Sequence, residues 1–378
     1  MNKIGFLGAL LALLVMTVFV FFNFPASWRK NKVFMTLVII YDIIGTICGG
    51  IIFTAFRSLP NAWMKVFVSG WGTIYYITTL LLSVLFCLRI LVKAVYLLIR
   101  KLTKKEADGK ALHILKDEKL QVIVFVITAF VICTVGFIRI GNLGETTYEV
   151  TCEKEAEEES LTMLFLSDVH AGAATWPFTY EKMHEILASS DADVVFLGGD
   201  ICDETTAEED IQMLKEALSG LNPRYGIYYI YGNHDEFEDN FTGKQMEEMG
   251  ITVLYDEMVE IGGVQVIGRL DPKDDALSWE ELMDKCSPDP QKPLVVLTHR
   301  PEEFRAISAS GADLALAGHT HGFNIPQFLG SNLLEDMYYG RKKYGEMTAI
   351  TSSGVSAWGI HYKWPAKSEI VKVKMTFR

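Results

Sequence analysis

Hydrophobic residues in the first 139 positions form long stretches without regular polar interruptions. A transmembrane helix needs about 20 consecutive apolar residues, and four stretches are long enough, at residues 4–22, 33–56, 66–88 and 120–138. No small-residue cleavage site follows residue 22, so the first stretch is interpreted as a retained span and not as a signal peptide. The pattern predicts a membrane domain with four transmembrane helices over residues 1–139.

Lysine and arginine flank these stretches unevenly. Three cations fill the loop between the first two stretches and seven fill the loop between the last two, whereas the opposite side carries four. Positively charged loops stay on the cytoplasmic side of a membrane. Both ends of the chain, and the whole region after residue 139, are therefore predicted to be extracytoplasmic.

Asp42 lies near the middle of the second stretch, where an ionised carboxylate is energetically unfavourable. One interpretation is a path for ions or protons through the bundle. The other is a protonated or hydrogen-bonded side chain that faces Thr or Tyr inside the bundle. We favour the second interpretation, because one carboxylate in four helices makes a poor conduction path.

After residue 139 the pattern changes. Residues 140–160 are polar and rich in glutamate, and a like-charge run of this kind predicts a solvated acidic linker. Short apolar runs then alternate with helical stretches, which predicts a layered α/β sandwich. The predicted strands are residues 161–166, 193–197, 226–230, 264–267, 294–297, 314–316, 347–351 and 370–376.

The charge is divided between the two halves of the chain. Residues 1–139 carry 16 Lys and Arg against 5 Asp and Glu, whereas the whole chain of 378 residues has a net charge of −12. A basic membrane part joined to an acidic domain excludes a disordered chain and a general nucleic-acid binder. The six cysteines show no regular spacing, which excludes a disulfide framework.

Five of the predicted strands end in polar residues that can bind metal ions. In open α/β sheets ligands bind outside the carboxyl ends of the strands, so converging strand ends would bring these side chains together. Each element alone is also an ordinary turn sequence, but five in order after apolar strands favour a common site. The candidate ligands are Asp168, His170, Asp200, Asn233, His299, His319 and His321.

This set of ligands indicates the metal chemistry. Histidine nitrogens with carboxylate and amide oxygens suit Mn²⁺, Fe²⁺ or Zn²⁺ better than Ca²⁺ or Mg²⁺. Seven ligands are too many for one tetrahedral ion but suit two divalent ions that share a carboxylate. Two ions about 3.5–4 Å apart can generate hydroxide and bind the oxygens of an in-line phosphoryl displacement. They would also attract phosphate to an otherwise acidic domain.

The residues themselves resemble a known family. Asp168-x-His170, Gly199-Asp200-x-x-Asp203, Gly232-Asn233-His234-Asp235, His299 and Gly318-His319-x-His321 resemble the motifs of the calcineurin-like metallophosphoesterases, over about residues 161–378. The segments around Arg269, His299 and Gly354 are most similar to membrane-associated bacterial phosphoesterases. That group includes UDP-diacylglucosamine pyrophosphohydrolases and cell-wall-associated phosphoesterases.

The resemblance implies a four-layer αββα sandwich for residues 161–378 and a role for each motif. One metal would be held by Asp168, His170 and His321, and the other by Asn233, His299 and His319, with Asp200 bridging the two. His234 would act as the acid towards the substrate, with Asp235 orienting its ring. Asp203 would support its loop and not bind metal.

Other residues could contact the substrate. Arg269, Arg300 and the basic run at residues 341–343 could meet phosphate or lie on a solvated surface. Five aromatic residues could form an apolar lip suited to a lipid-linked substrate, although core packing explains at least half of them. They are Trp176, Phe178, Phe323, Trp358 and Trp364, and Phe323 stands where relatives often carry a second glycine.

The sequence thus predicts a membrane-anchored, two-metal phosphoesterase that uses metal-activated hydroxide. The favoured substrate is a phosphodiester or pyrophosphate bond in a lipid-linked or cell-envelope molecule, and the expected partners are that substrate and the lipid bilayer. Phosphomonoesters and nucleotides remain alternative substrates. A catalytically silent metal-binding sensor, or a transporter or channel regulated by the domain, are the alternatives from other classes.

Overall fold

The structure is a computed structural model that describes residues 3–59, 62–103, 117–235, 241–271, 276–322 and 337–378. The chain divides into two compact units, Met1–Val135 and Gly136–Arg378. The boundary between them falls inside a helix, because one continuous helix covers Glu118–Gly141.

The first unit is helical throughout its described secondary structure, as its long apolar stretches predict. Asn31 begins the second long helix, where its side chain accepts a hydrogen bond of 3.1 Å from the backbone N–H of Phe34 and so caps the helix. The helices are α1 (Lys3–Asn23), α2 (Ala26–Arg29), α3 (Lys32–Thr54), α4 (Ala62–Thr103) and α5 (Glu118–Gly141), with a 3-10 turn at Phe56–Ser58.

Three of the predicted spans are long and apolar enough to cross a membrane. They lie within Lys32–Ile52, Trp63–Thr103 and Glu118–Gly141. The first predicted span is also helical, but among the residues searched its apolar part is the shorter stretch Leu11–Asn23. The count of four spans therefore stays a prediction, and so does their orientation.

Asp42 lies among hydroxyl groups inside the first unit. It lines a cavity of about 440 Å³ together with Thr17, Thr46 and Tyr75. The hydroxyl of Tyr75 lies 2.8 Å from that of Thr17 and 3.3 Å from that of Thr46. Asp42 thus shares a cavity with Thr and Tyr side chains, and its protonated or hydrogen-bonded state stays a prediction.

The second unit is built on two six-stranded sheets. The first sheet has the order β1-β12-β2-β3-β4-β5 and the second has the order β10-β11-β9-β8-β7-β6. The strands are β1 (Gly144–Cys152), β2 (Ser160–Leu166), β3 (Val194–Gly198), β4 (Ile227–Ile230), β5 (Thr252–Val253), β6 (Glu257–Ile261), β7 (Val264–Gly268), β8 (Leu294–Leu297), β9 (Leu314–Ala317), β10 (Gly340–Tyr344), β11 (Met347–Thr351) and β12 (Glu369–Phe377).

Alternating residues of the central strands pack into different layers, as the two-residue period of a strand requires. In β2, Met163 and Phe165 join a core that also contains Val295 and Leu297 of the second sheet. Leu164 and Leu166 of the same strand point into a core formed with helices on the other face. A third core covers the far side of the second sheet.

Helices therefore cover the outer face of each sheet, in the order helix, sheet, sheet, helix. Met183 and Leu214 come from the helices on the first sheet, whereas Leu282 and Phe304 come from those on the second. These helices are α6 (Pro177–Ser189), α7 (Glu208–Leu218), α8 (Phe241–Glu248), α9 (Trp279–Cys286) and α10 (Phe304–Ala309). The sandwich agrees with the α/β class predicted from the alternating pattern.

All eight predicted strands are present, but the acidic linker is not a simple tether. Gly144–Cys152, inside the predicted linker, is an edge strand that pairs in parallel with β12 along its whole length. Its partner lies more than 200 positions further along the chain, so the local glutamate content gave a wrong interpretation. Val150 and Cys152 are buried, and Glu145 and Glu149 face solvent at the edge.

The position of β1 predicts where a stable catalytic fragment must begin. A fragment covering residues 142–378 should unfold cooperatively, whereas one covering residues 153–378 should be destabilised by about 3 kcal/mol or more, because it exposes β12 and the core under Val150. Chemical denaturation followed by circular dichroism measures the difference. Equal midpoints for the two fragments would show that β1 adds nothing to the fold.

Candidate metal centre

The seven predicted ligands follow the carboxyl ends of five parallel strands. Asp168 and His170 follow β2, Asp200 follows β3 and Asn233 follows β4. In the first sheet β2, β3 and β4 are parallel neighbours, and in the second sheet so are β8 and β9, which precede the remaining three histidines. The sheet topology thus places these loops at the same edge.

The structure brings the predicted ligands into two groups. Asp168, His170 and His321 form the first group, and Asp200, His299 and His319 form the second. Within each group the candidate ligand atoms all lie within 4.8 Å of one another. Residues up to 153 positions apart in the chain therefore meet at distances that suit a bound ion.

Asp200 lies between the two groups. Its Oδ2 atom is 3.1 Å from Nε2 of His299 in the second group and 3.6 Å from Nε2 of His170 in the first. Its other oxygen, Oδ1, accepts a hydrogen bond of 2.8 Å from the backbone N–H of His234. One carboxylate oxygen is thus held by the backbone while the other faces both groups.

The backbone around these residues is strained. Among the described residues, the non-glycine residues with positive φ are Asp168, His170, Asp200, Asp256, Ser287, His319 and His321. Five of these seven are predicted ligands, with φ between 45° and 70°. Such conformations cost about 1–3 kcal/mol each and persist where function requires them. The strain marks this site independently of the side-chain chemistry.

Two glycines allow the loops to approach this closely. A Cβ atom on Gly318 would lie 2.4 Å from Oδ2 of Asp168, and one on Gly232 would lie 2.2 Å from Oδ1 of Asp200. Real Cβ atoms do not come so close to an oxygen, so any larger residue would displace these carboxylates. The glycines of the Gly-His and Gly-Asn motifs are therefore steric requirements of the site.

The imidazole rings are oriented by backbone carbonyls. Nδ1–H of His299 donates to the carbonyl of Gly198 at 2.9 Å, and Nδ1–H of His321 donates to that of Ser356 at 3.3 Å. The Nε2 atom of each ring is then left as the ligand atom. Among the residues that the structure describes, Nε2 of buried His170 has no hydrogen-bond partner. A buried nitrogen in that state fits a metal ligand.

The electrostatics also suit cation binding. Burial lowers the pKa of His321 to about 3, and burial together with neighbouring His299 lowers the pKa of His319 to about 3. Both rings are therefore neutral at pH 7 and can offer a lone pair. Although burial alone would raise it, the pKa of Asp200 is held well below its usual range by His299, His234 and His170, so its carboxylate is ionised.

The loop that carries Asn233 is fixed beside the second group. The N–H of Gly232 donates to Asp235 at 2.9 Å, and the N–H of His234 donates to Asp200 at 2.8 Å. Asn233 lies between these two anchored residues. Its backbone position is therefore tied to the Asp200 loop, as a ligand of the second group requires.

His234 lies at the edge of the centre, with its ring centroid 5.2 Å from that of His170. Its Nδ1–H donates to Oε2 of Glu204 at 3.2 Å. The sequence prediction gave this ring-orienting role to Asp235, and the geometry corrects it. Asp235 instead accepts four backbone N–H bonds of 2.6–3.0 Å, from Asp200, Ile201, Cys202 and Gly232.

Asp203 supports its own loop, as predicted. Its Oδ1 atom accepts hydrogen bonds from the backbone N–H and the hydroxyl of Thr205, at 2.7 Å and 2.6 Å. Its Oδ2 atom lies 3.3 Å from Nδ1 of His170. Asp203 thus faces the ring nitrogen of a predicted ligand on the side away from Asp200.

The predicted cations have different environments. Arg300 is held by buried Asp271, with bonds of 2.7 Å and 3.2 Å, and its Nη1 atom lies 3.5 Å from Nε2 of His319. Arg269 is buried and paired with Asp256 and Glu303, so it does not lie on a solvated surface. Residues 341–343 lie on the edge strand β10, which agrees with a solvated surface.

The predicted aromatic lip is divided between two places. The Trp358 ring lies 5.3 Å from the ring of His234, beside the centre. Trp176, Phe178 and Trp364 lie instead around the end of α5, within the second unit. Phe323 lies outside the described residues.

Sequence reasoning missed Glu204 and Asp271. Each carboxylate acts through a neighbour, Glu204 on His234 and Asp271 on Arg300. Glu204 lies outside the motifs identified in the sequence, and acidic residues are abundant in this half of the chain. Asp271 lies in the segment around Arg269 that resembles membrane-associated phosphoesterases, but the resemblance gave it no role.

Comparisons with known proteins agree with this geometry. Residues 161–323 match the family model described as calcineurin-like phosphoesterase. An uncharacterized metallophosphoesterase of Helicobacter pylori strain J99 is 29% identical over 231 residues, which cover 58% of this chain and 60% of the relative. This part of the chain is therefore similar to the calcineurin-like phosphoesterases.

Two further relatives bear on the rest of the chain. A "transmembrane protein with metallophosphoesterase domain" of Danio rerio is 23% identical over 333 residues, covering 82% of this chain and 73% of the relative. A phosphodiesterase of Escherichia coli strain K12 is 26% identical over 224 residues, covering 52% of this chain and 75% of the relative. The chain spans about 60% of the length of the Helicobacter relative.

Asp200→Asn tests whether one carboxylate serves both groups. Because its Oδ2 atom faces His170 and His299, the variant should lose both ions together, from about two per chain to fewer than about one. Elemental analysis of purified protein measures this, with Asp284→Asn on the exposed face of α9 as the control. Loss of one ion with full retention of the other would contradict a shared ligand.

Proposed function

We propose that this protein is a membrane-anchored hydrolase of phosphoric ester or anhydride bonds that works with two divalent metal ions. The observation that carries the proposal is the position of Asp200, whose Oδ2 atom lies within 3.6 Å of an imidazole from each ligand group. The strained ligand loops and the match to the metallophosphoesterase family model support it. Turns that only connect strands and bind no ligand require none of these features.

In this proposal Asp168, His170 and His321 hold one ion, Asn233, His299 and His319 hold the other, and Asp200 is shared. Mn²⁺, Fe²⁺ and Zn²⁺ suit this mixture of nitrogen and oxygen ligands. Two such ions supply an activated water and neutralise the charge of an in-line displacement at phosphorus. The protein contributes the ligand spacing and the orientation of the imidazole rings.

His234 is proposed to assist the departure of the leaving group. Its Nδ1–H is held by Glu204, which leaves Nε2 to donate a proton to the leaving oxygen or hydrogen-bond to phosphate. Asp235 keeps the loops of Asp200 and His234 in register through its four N–H bonds. Arg300, fixed by Asp271 beside His319, is placed to bind a phosphate oxygen.

The favoured substrate is a phosphodiester or pyrophosphate in a lipid-linked or envelope molecule. The helices α3, α4 and α5 support attachment to a membrane, and the similarity to the Danio rerio transmembrane protein extends over 82% of this chain. A relative named phosphodiesterase supports a diester over a monoester. We further propose that the domain is extracytoplasmic, because the predicted loops on the opposite side carry most of the cations.

The His234→Ala variant tests the function directly. It should keep its metal content and lose about 10²–10⁴-fold in kcat on a phosphodiester, because the ring of His234 hydrogen-bonds to Glu204 and not to a predicted ligand. His184→Ala on α6, whose ring bonds Ala217, is the control. Unchanged turnover in His234→Ala would overturn the role of His234. Metal binding without hydrolysis in the wild type would instead favour the sensor.

The Glu204→Gln variant separates orientation of His234 from general stability. If Glu204 positions the acid, kcat should fall about tenfold or more for diesters with poor alkyl leaving groups and less than about threefold for p-nitrophenyl esters, which need no protonation. Glu208→Gln at the exposed start of α7 is the matched control. Equal losses with both kinds of leaving group would indicate a purely structural role.

A further inference from the structure

The carboxyl-terminal end of α5, residues 136–141, is fastened to the catalytic unit. The N–H of Lys363 donates to the carbonyl of Gly136 at 3.2 Å, and the N–H of Ser368 donates to that of Arg139 at 3.3 Å. The hydroxyl of Ser368 donates to the carbonyl of Ile140 at 3.0 Å. The last carbonyls of a helix have no partner within the helix, and here the loop before β12 supplies partners.

Side chains pack tightly against the same helix end. A Cβ atom on Gly136 would lie 2.1 Å from the ring of Tyr362, which is fully buried. A Cβ atom on Gly141 would lie 3.3 Å from the ring of Phe178. These contacts and the hydrogen bonds hold the helix end in a defined position on the domain.

Aromatic side chains surround this helix end. We define the collar as Phe137, Arg139, Trp176, Phe178 and Trp364. The Trp176 ring lies 5.0 Å from that of Phe137 and 5.5 Å from that of Phe178. The guanidinium of Arg139 lies 5.3 Å from the centre of the Trp364 ring. The collar thus combines apolar rings with a single cation.

Part of the collar is exposed in the part of the chain that the structure describes. Phe178 is 41% exposed, and Ile138, in the last turn of α5, is 61% exposed. Large exposed hydrophobic residues outside the membrane helices are few among the described residues, Phe178, Tyr255 and Tyr339. Contact with an apolar environment would therefore bury the exposed ring of Phe178 favourably.

The length of α5 indicates the depth of the collar relative to a bilayer that this helix would cross. The 24-residue helix is about 36 Å long, and the hydrocarbon core of a bilayer is about 30 Å thick. The apolar stretch ends at Arg139, so this residue marks the boundary between hydrocarbon and headgroups. Aromatic rings and arginine are enriched at that boundary.

We propose that the collar is a membrane-contact surface of the catalytic unit, with Phe178 and Trp364 seated at the boundary between lipid headgroups and acyl chains. The occupant is the bilayer itself, because the collar is continuous with a helix that is apolar over a full membrane thickness. The proposal rests on membrane insertion of α5 and is independent of the identity of the substrate.

The collar is close to the metal centre in the chain. Trp358 lies against the catalytic candidate His234, and His361 stacks on Trp176 at 3.8 Å. His361 follows Trp358 by three positions, so their Cα atoms are at most about 11 Å apart. A short segment of the chain therefore joins the collar to the candidate acid, which connects the collar with the proposed function.

Photocrosslinking of the full-length protein in nanodiscs of phosphatidylcholine and phosphatidylglycerol tests the contact. With p-benzoylphenylalanine in place of Phe178, the yield of lipid adduct should be at least about tenfold higher than with the same residue in place of Tyr255. Tyr255 is similarly exposed but follows β5, at the opposite edge of the first sheet from β1. Equal yields at the two positions, or no adduct at position 178, would overturn the proposal.

The Phe178→Ser variant supplies a second measurement. It should lower the rate on a phospholipid diester in vesicles about tenfold while hydrolysis of water-soluble bis-p-nitrophenyl phosphate stays within about twofold. If the variant hydrolysed both substrates at the wild-type rates, or lost the same fraction of its rate on both, the result would contradict a membrane contact. Absence of hydrolysis in the wild type would reject the proposed function. The crosslinking result would then decide by itself whether the collar contacts the membrane.

Discussion

The carboxylate of Asp200 is the constraint on which the rest of the site depends. Its Oδ2 atom faces one imidazole of each ligand group, and its Oδ1 atom is held by the backbone of His234. Asp235 holds the backbone of Asp200 and its two following residues. A displacement of the Asp200 side chain would therefore disturb both ligand groups and the position of His234, the proposed acid, at the same time.

Such a site requires a rigid frame, and the two sheets supply it. Five predicted ligands have left-handed backbone conformations, which the chain can maintain only where surrounding structure determines them. Three buried cores lie between and outside the sheets and fix the strand ends from which these loops leave. Stability in the layers thus offsets strain at their edge.

The same frame also connects the chemistry with the proposed membrane surface. The strand β12 pairs with β1, which directly follows α5, and the loop before β12 binds the last carbonyls of α5. That loop follows the segment that carries Trp358 beside His234. Attachment to the helix and support of the site therefore involve one continuous part of the chain, residues 352–377.

The sequence by itself determined three apolar spans, the eight central strands and the seven candidate ligands, because these depend on local periodicity and on motifs that follow strands. Tertiary structure alone decided the rest. The strand β1 exists because a distant segment pairs with it, although its glutamates suggested a linker. Glu204 faces His234, and Asp235 faces the backbone, because loop geometry decides which carboxylate reaches a ring. Contacts between residues far apart in the chain have no local pattern, so only the folded protein specifies them.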